Sequence, residues 1–164
     1  MFISLLTGKD EKRMSIIRAL SEQEGKGLIQ IAVSTFVSAE VRPDESNSSL
    51  DVAEFQKAVE LLESPRLDVW TLTPKIGQMA QKIGQLFPKL LPGDCVHIAT
   101  AIEANTVVLF TFDGAGPSRR RPSEMIAHSG KIGPQFGKPI LKISEPYLPV
   151  AHEKDPLFNP PSAH

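Results

Sequence analysis

The sequence predicts an α/β domain built on a parallel sheet, and three observations predict it. Helical and strand-like segments alternate along the chain, and the strand-like ones are apolar throughout instead of alternating with polar residues. One helix, 92–104, is apolar on nearly every side. Strands without a polar face belong to a sheet covered on both sides, and a helix without one lies deep in its domain. The 164 residues, 41% of them apolar, fit one domain with a sizeable core.

From the N-terminus, "MFISLLTGKDEKRMSIIRALSEQEG" carries Phe2, Leu5 and Leu6, then Met14, Ile17 and Leu20, at helical spacing, with a break at Gly8 and a stop at Gly25. "GLIQIAV" (27–33) reads as a strand, and Ser34 as the cap of the helix "TFVSAEV". "RPDESNSS" is a loop, and "SLDVAEFQKAVELLES" an amphipathic helix with Val52, Phe55, Val59 and Leu62 on one face. "RLDVWTL" is the second strand.

In "TPKIGQMAQKIGQLF", Thr73 is the expected N-cap and Pro74 the first helical residue, where a missing N–H does no harm. Ile76, Met79, Ile83, Leu86 and Phe87 make the expected buried stripe. "PGDCVHIATAIEAN" is the next helix, with "TVVLFTF" as the strand after it. Past Gly114 the pattern reads as loop, then "KPILKIS" as a last strand and "HEKDPLFNPPSAH" as a tail. Residues 1–145 are thus expected to form the domain and 146–164 a disordered tail. No internal repeat is evident.

Composition narrows the function. A net charge of −1 means that attraction to nucleic acid has to come from a local patch. The single cysteine, Cys95, excludes an internal disulfide and fits a reducing compartment. No stretch reaches the roughly 18 apolar residues that span a bilayer, and the N-terminus lacks the charged and small-residue flanks of a signal peptide. A cytoplasmic protein without membrane association is expected. The four histidines and one cysteine show no zinc spacing. "GKIGPQFGKP" and "DGAGPS" fall short of the phosphate-loop and dinucleotide motifs.

The chemistry gathers in three acids. Asp113 directly follows the strand "TVVLFTF", Asp94 begins the apolar helix, and Glu40 lies about two turns into the helix after the first strand. All three are expected on the carboxyl edge of a parallel sheet, where open sheets bind ligands. Carboxylates converging there would repel one another unless a divalent cation held them, and hard oxygen donors suit Mg²⁺ or Mn²⁺. Each acid also has a plainer reading: a helix N-terminal acid for Asp94, an Asp-Gly turn for Asp113, a solvated helix residue for Glu40.

"IAVSTFVSAEV" and "LPGDCVHIATAIEANTVVLFTFDG" together resemble the PIN-domain family, including the VapC-like toxins of bacterial toxin–antitoxin pairs. The likeness lies in a serine-led helix ending in an acid, an Asp-x-x-His-hydrophobic-Ala-x-Ala helix, and a strand ending in Thr-x-Asp. Glu40, Asp94 and Asp113 match the acidic positions, and His97, Ala99, Ala101 and Thr111 the supporting ones. The likeness covers about residues 1 to 115.

It implies a three-layer α/β/α fold with a central parallel sheet. It further implies an endonuclease for single-stranded RNA that uses Mg²⁺ or Mn²⁺, with Glu40, Asp94 and Asp113 holding the metal and the attacking water and Thr111 supporting them. An antitoxin over the acidic cleft and a homodimer are implied partners, the stripe of helix 74–87 serving as a dimer contact. The family opens with a strand ending in aspartate, whereas "MFISLLTG" matches only the segment after that aspartate. By that comparison the chain alone is expected to be poorly stable or weakly active.

Arg119, Arg120 and Arg121, in "SRRRPSE", stand just after the acidic edge and suit RNA phosphates or, equally, a solvated loop. Cys95 and His97 read as packing residues, and Trp70 and Tyr147 as too isolated to stack bases. Two rival functions remain open. One is a catalytically impaired PIN-like remnant that binds RNA or a protein. The other is a phosphatase-like hydrolase, which needs an early Asp-x-Asp pair that the sequence lacks.

Overall fold

The computed structural model describes residues 11–40, 56, 59, 60, 62–111 and 125–147. The chain divides into two compact units, 1–71 and 72–164.

In the first unit, helix α1 (Glu11–Gly25) buries Ile17 and Leu20. It ends where the sequence places its stop. Gly27, at φ 70°, turns the chain while the Leu28 N–H donates back to the Gln23 carbonyl. Strand β1 is Ala32–Ser34, much shorter than the expected 27–33, and Leu28 is 57% exposed. The turn that closes α1 uses up the first residues of the apolar run.

Ser34 accepts the Phe36 N–H at 3.2 Å and so starts helix α2, Phe36–Glu40. Residues 56, 59, 60 and 62 are helical, in agreement with the amphipathic helix expected there; Val52 and Phe55 lie outside the described residues. Strand β2 (Asp68–Trp70) pairs parallel with β1 in the register Ala32–Asp68, Val33–Val69, Ser34–Trp70.

In the second unit, helix α3 spans Pro74–Leu86, and Thr73 Oγ1 accepts the Ile76 N–H at 3.3 Å, as its sequence predicts. Helix α4, Pro92–Glu103, packs against it and buries residues on several sides, among them Cys95, Ile98, Ala99 and Ile102. Strand β3 (Val108–Phe110) then pairs parallel with β4 (Lys142–Ser144) in the register Val108–Lys142 to Phe110–Ser144. Short 3-10 turns at Ile126–His128 and Pro134–Phe136 interrupt the segment expected to be loop.

Both strand pairs are parallel and helices intervene, which makes the chain α/β, as predicted. The core of this unit runs through Ile76, Ile83, Ile98, Ile132 and Ile143.

One detail of the core departs from the sequence reading. The buried face of α3 is Ile76, Ala80 and Ile83, while Leu86 is 54% exposed and Met79 and Phe87 are only partly covered. The face turned into the core is the one with small residues. At Gly84 an added Cβ would already stand 3.6 Å from the Cys95 sulfur. That is ordinary van der Waals contact, so the helix packs against Cys95 through Gly84 while Met79 and Phe87 line the rim of the core.

Candidate functional site

Asp94 is the third residue of α4, which opens on Pro92, whose fixed φ and missing N–H suit a first helical position. Its carboxylate accepts the Leu91 backbone N–H at 3.0 Å, one half of a capping box; Leu91 has no side-chain oxygen to supply the other half. Asp94 is only 7% exposed and is the one buried charged side chain among the described residues. Such burial is costly for a carboxylate unless partners compensate. The Leu91 N–H and the positive end of the α4 dipole do so in part.

Cys95, beside it, is buried at 3% exposure, and its thiol is pushed above its ordinary range, first by burial and then by the neighbouring Asp94 charge. It is the packing residue its sequence context suggests. His97, on the next turn, is half-buried.

Thr111 directly follows β3 at its carboxyl end. Its N–H donates to the Ser144 carbonyl at 3.0 Å and adds one rung to the ladder, and the residue is 6% exposed. Asp94 and Thr111 are thus both buried within the second unit. Glu40, the last residue of α2 in the first unit, is exposed. Asp113 and Arg119, Arg120 and Arg121 lie outside the described residues.

Two features went unread in the sequence. Tyr147, isolated along the chain, packs edge-on against Phe110 with ring centroids 5.3 Å apart, and the Lys142 ammonium sits 4.6 Å over its ring. The contact with Phe110 joins segments far apart in sequence and leaves no local trace. The second feature was visible. Lys75-Ile-Gly-Gln-Met79 recurs seven residues later as Lys82-Ile-Gly-Gln-Leu86, so α3 does carry an internal repeat, against the expectation of none.

A buried aspartate at a helix start and a buried threonine that closes a parallel strand thus stand in one α/β unit. The PIN domain model matches residues 1–117, and the chain belongs to the PIN domain family. That family is α/β with a nuclease-type fold, generally depends on divalent metal and commonly binds RNA. No curated protein and no solved structure matches the chain. Among the described residues no helix is long and apolar enough to cross a membrane.

Proposed function

We propose that the chain is a metal-dependent endoribonuclease that cleaves single-stranded RNA, of the VapC-like toxin type, with residues 1–145 as its domain. The observation that carries this reading is Asp94: an acid buried at the start of α4, at the position where the family resemblance expects a metal ligand. Asp94 supplies hard oxygen donors that suit Mg²⁺ or Mn²⁺, and Glu40 and Asp113 would complete the set.

A bound cation would lower the pKa of a water and offset charge building on the phosphate. Asp94 would be held in place for that role by the Leu91 N–H, and Thr111 would be fixed by its rung to Ser144. Arg119, Arg120 and Arg121 would meet the RNA phosphates. A cytoplasmic homodimer restrained by an antitoxin is the working form this reading expects.

The test is cleavage of a single-stranded RNA by the purified chain in Mg²⁺ or Mn²⁺, beside Asp94→Asn, Glu40→Gln and Asp113→Asn. Each variant is expected to lose about 100-fold or more in rate, and Mn²⁺ is expected to raise the melting temperature of the parent but not of Asp94→Asn. A parent that binds RNA without cutting it, and without stabilisation by Mn²⁺, would replace this reading with the impaired binding module.

A further inference from the structure

The repeat in α3 has a structural counterpart. A groove of about 520 Å³ runs along the outer side of this helix and is closed by Gln135 and Phe136 of the second 3-10 turn. The repeat sets its lining: Lys75 and Lys82, Gln78 and Gln85, Met79 and Leu86. Each pair is separated by seven residues, about 10.5 Å along the axis. Ile76 and Ile83, the remaining large members of the repeat, are consumed by the core.

The outer side therefore presents two half-covered or exposed apolar residues in a row, an aromatic ring beside them, and a lysine edge. Helix α3 contains no acid anywhere in its 13 residues. Lys75 is already joined to Glu103. Lys82 has no ion-pair partner among the described residues, and the amide of Gln135 is engaged within its own turn by Gly133 and Lys131.

We infer that this groove docks an amphipathic helix from a partner protein, with acidic residues along the flank of its apolar stripe. Three properties of the groove select that occupant. A seven-residue period matches two turns of a helix laid alongside, and apolar anchors at i and i+7 are how helices seat in grooves. Methionine and leucine adapt to such anchors without a fixed shape. Lys82 carries the flanking charge without an ion-pair partner among the described residues, so a partner gains by setting carboxylates beside it.

A second copy of this helix would set lysines against lysines and offers no carboxylate to relieve them. Of the stripe of 74–87 expected to serve a dimer, Ile76 and Ile83 are buried in the core and only its outer members are open to a partner. Single-stranded RNA would need more than one unpaired cation to follow its backbone. Occupancy of the groove does not depend on the phosphodiester chemistry proposed for Asp94.

The probe is a synthetic peptide of about 15 residues, long enough to hold a helix, with leucines at i, i+3 and i+7 and glutamates flanking them. Its binding to the full chain is followed by fluorescence anisotropy, beside the same peptide with lysine in place of each glutamate. The acidic peptide is expected to bind, and the basic one about tenfold more weakly or worse.

Lys82→Glu and Leu86→Gln, both at exposed positions, are expected to weaken the acidic peptide about tenfold while leaving the circular dichroism melt unchanged. The inference is overturned if the acidic peptide does not bind or if the basic one binds equally well. Two further results assign the groove to another occupant: RNA affinity that falls in Lys82→Glu while peptide affinity does not, or self-association in sedimentation that Leu86→Gln abolishes.

Discussion

Asp94 performs two separable duties, and substitutions can divide them. As an oxygen acceptor it holds the Leu91 N–H; as a charge it equips the proposed site. Asn keeps the acceptor and removes the charge, whereas Ala removes both. Asp94→Ala is expected to lower unfolding stability by about 1 kcal/mol in urea titration, Asp94→Asn by clearly less, and both to abolish cleavage. Equal stability losses would mean that the cap contributes nothing.

Cys95 makes a second prediction at this scale. Burial raises its thiol above the ordinary 9.0, so in the alkaline range the native state holds a proton that the unfolded chain has released. Stability is then full below the ordinary value and declines as pH climbs through the native one. Melting temperature is expected to fall with alkaline pH, and Cys95→Ala to flatten part of that fall. The cap and the buried cysteine were legible because both arise from neighbours within one helical turn. The meeting of Phe110 with Tyr147 was not, since it depends on how distant segments return to the sheet.

Elements show where local pattern stops being enough. The start and length of α3 are set by Thr73, Pro74 and the apolar period, but the buried face takes Ala80 with Ile76 and Ile83 and leaves Leu86 exposed. Hydropathy ranks methionine above alanine; burial reverses the order here.

The segment from 125 to 137, read as loop, holds two positions that test its structure. Gly133 has φ 134°, and a Cβ there would stand 2.0 Å from the Pro139 carbonyl oxygen. Backbone cannot yield to that contact. Gly133→Ala is therefore expected to cost roughly 2–3 kcal/mol, read as a melting point lower by roughly 5 °C or more.

His128 gives the opposite sign. Its ring packs on Phe87 at 4.9 Å, and both ring nitrogens are buried without a hydrogen-bond partner among the described residues. A neutral imidazole must bury one N–H donor there unmet. His128→Leu is expected to leave stability unchanged or raise it by about 1 kcal/mol; a loss above that size would reveal a polar contact at the ring.

At the scale of the molecule, the buried apolar side chains of the described residues gather around α3 and α4. Among the described residues the buried apolar side chains of the first unit are Ile17, Leu20 and Val33, and those of the second unit number thirteen. Each strand pair is only three residues long, so neither ladder can supply much cooperative protection by itself. Protection from solvent should then follow the side-chain core rather than the strands.

Native-state hydrogen exchange on the full chain is expected to find its slowest amides in α4, around Ile98 to Ile102, with the Asp68 N–H bonded to Ile31 in β2 exchanging sooner. The Ile143 N–H, held by the Ser129 hydroxyl at 2.8 Å beneath a fully covered side chain, should be the slowest amide in either sheet. If β1 and β2 amides proved as slow as those of α4, the two units would be unfolding as one cooperative body. Chain sequence alone announced the α/β class through its alternating apolar segments. It also announced α4 as the deep helix through its lack of a polar side, whereas the pairing of β3 with β4 joins residues more than thirty apart and left no local sign.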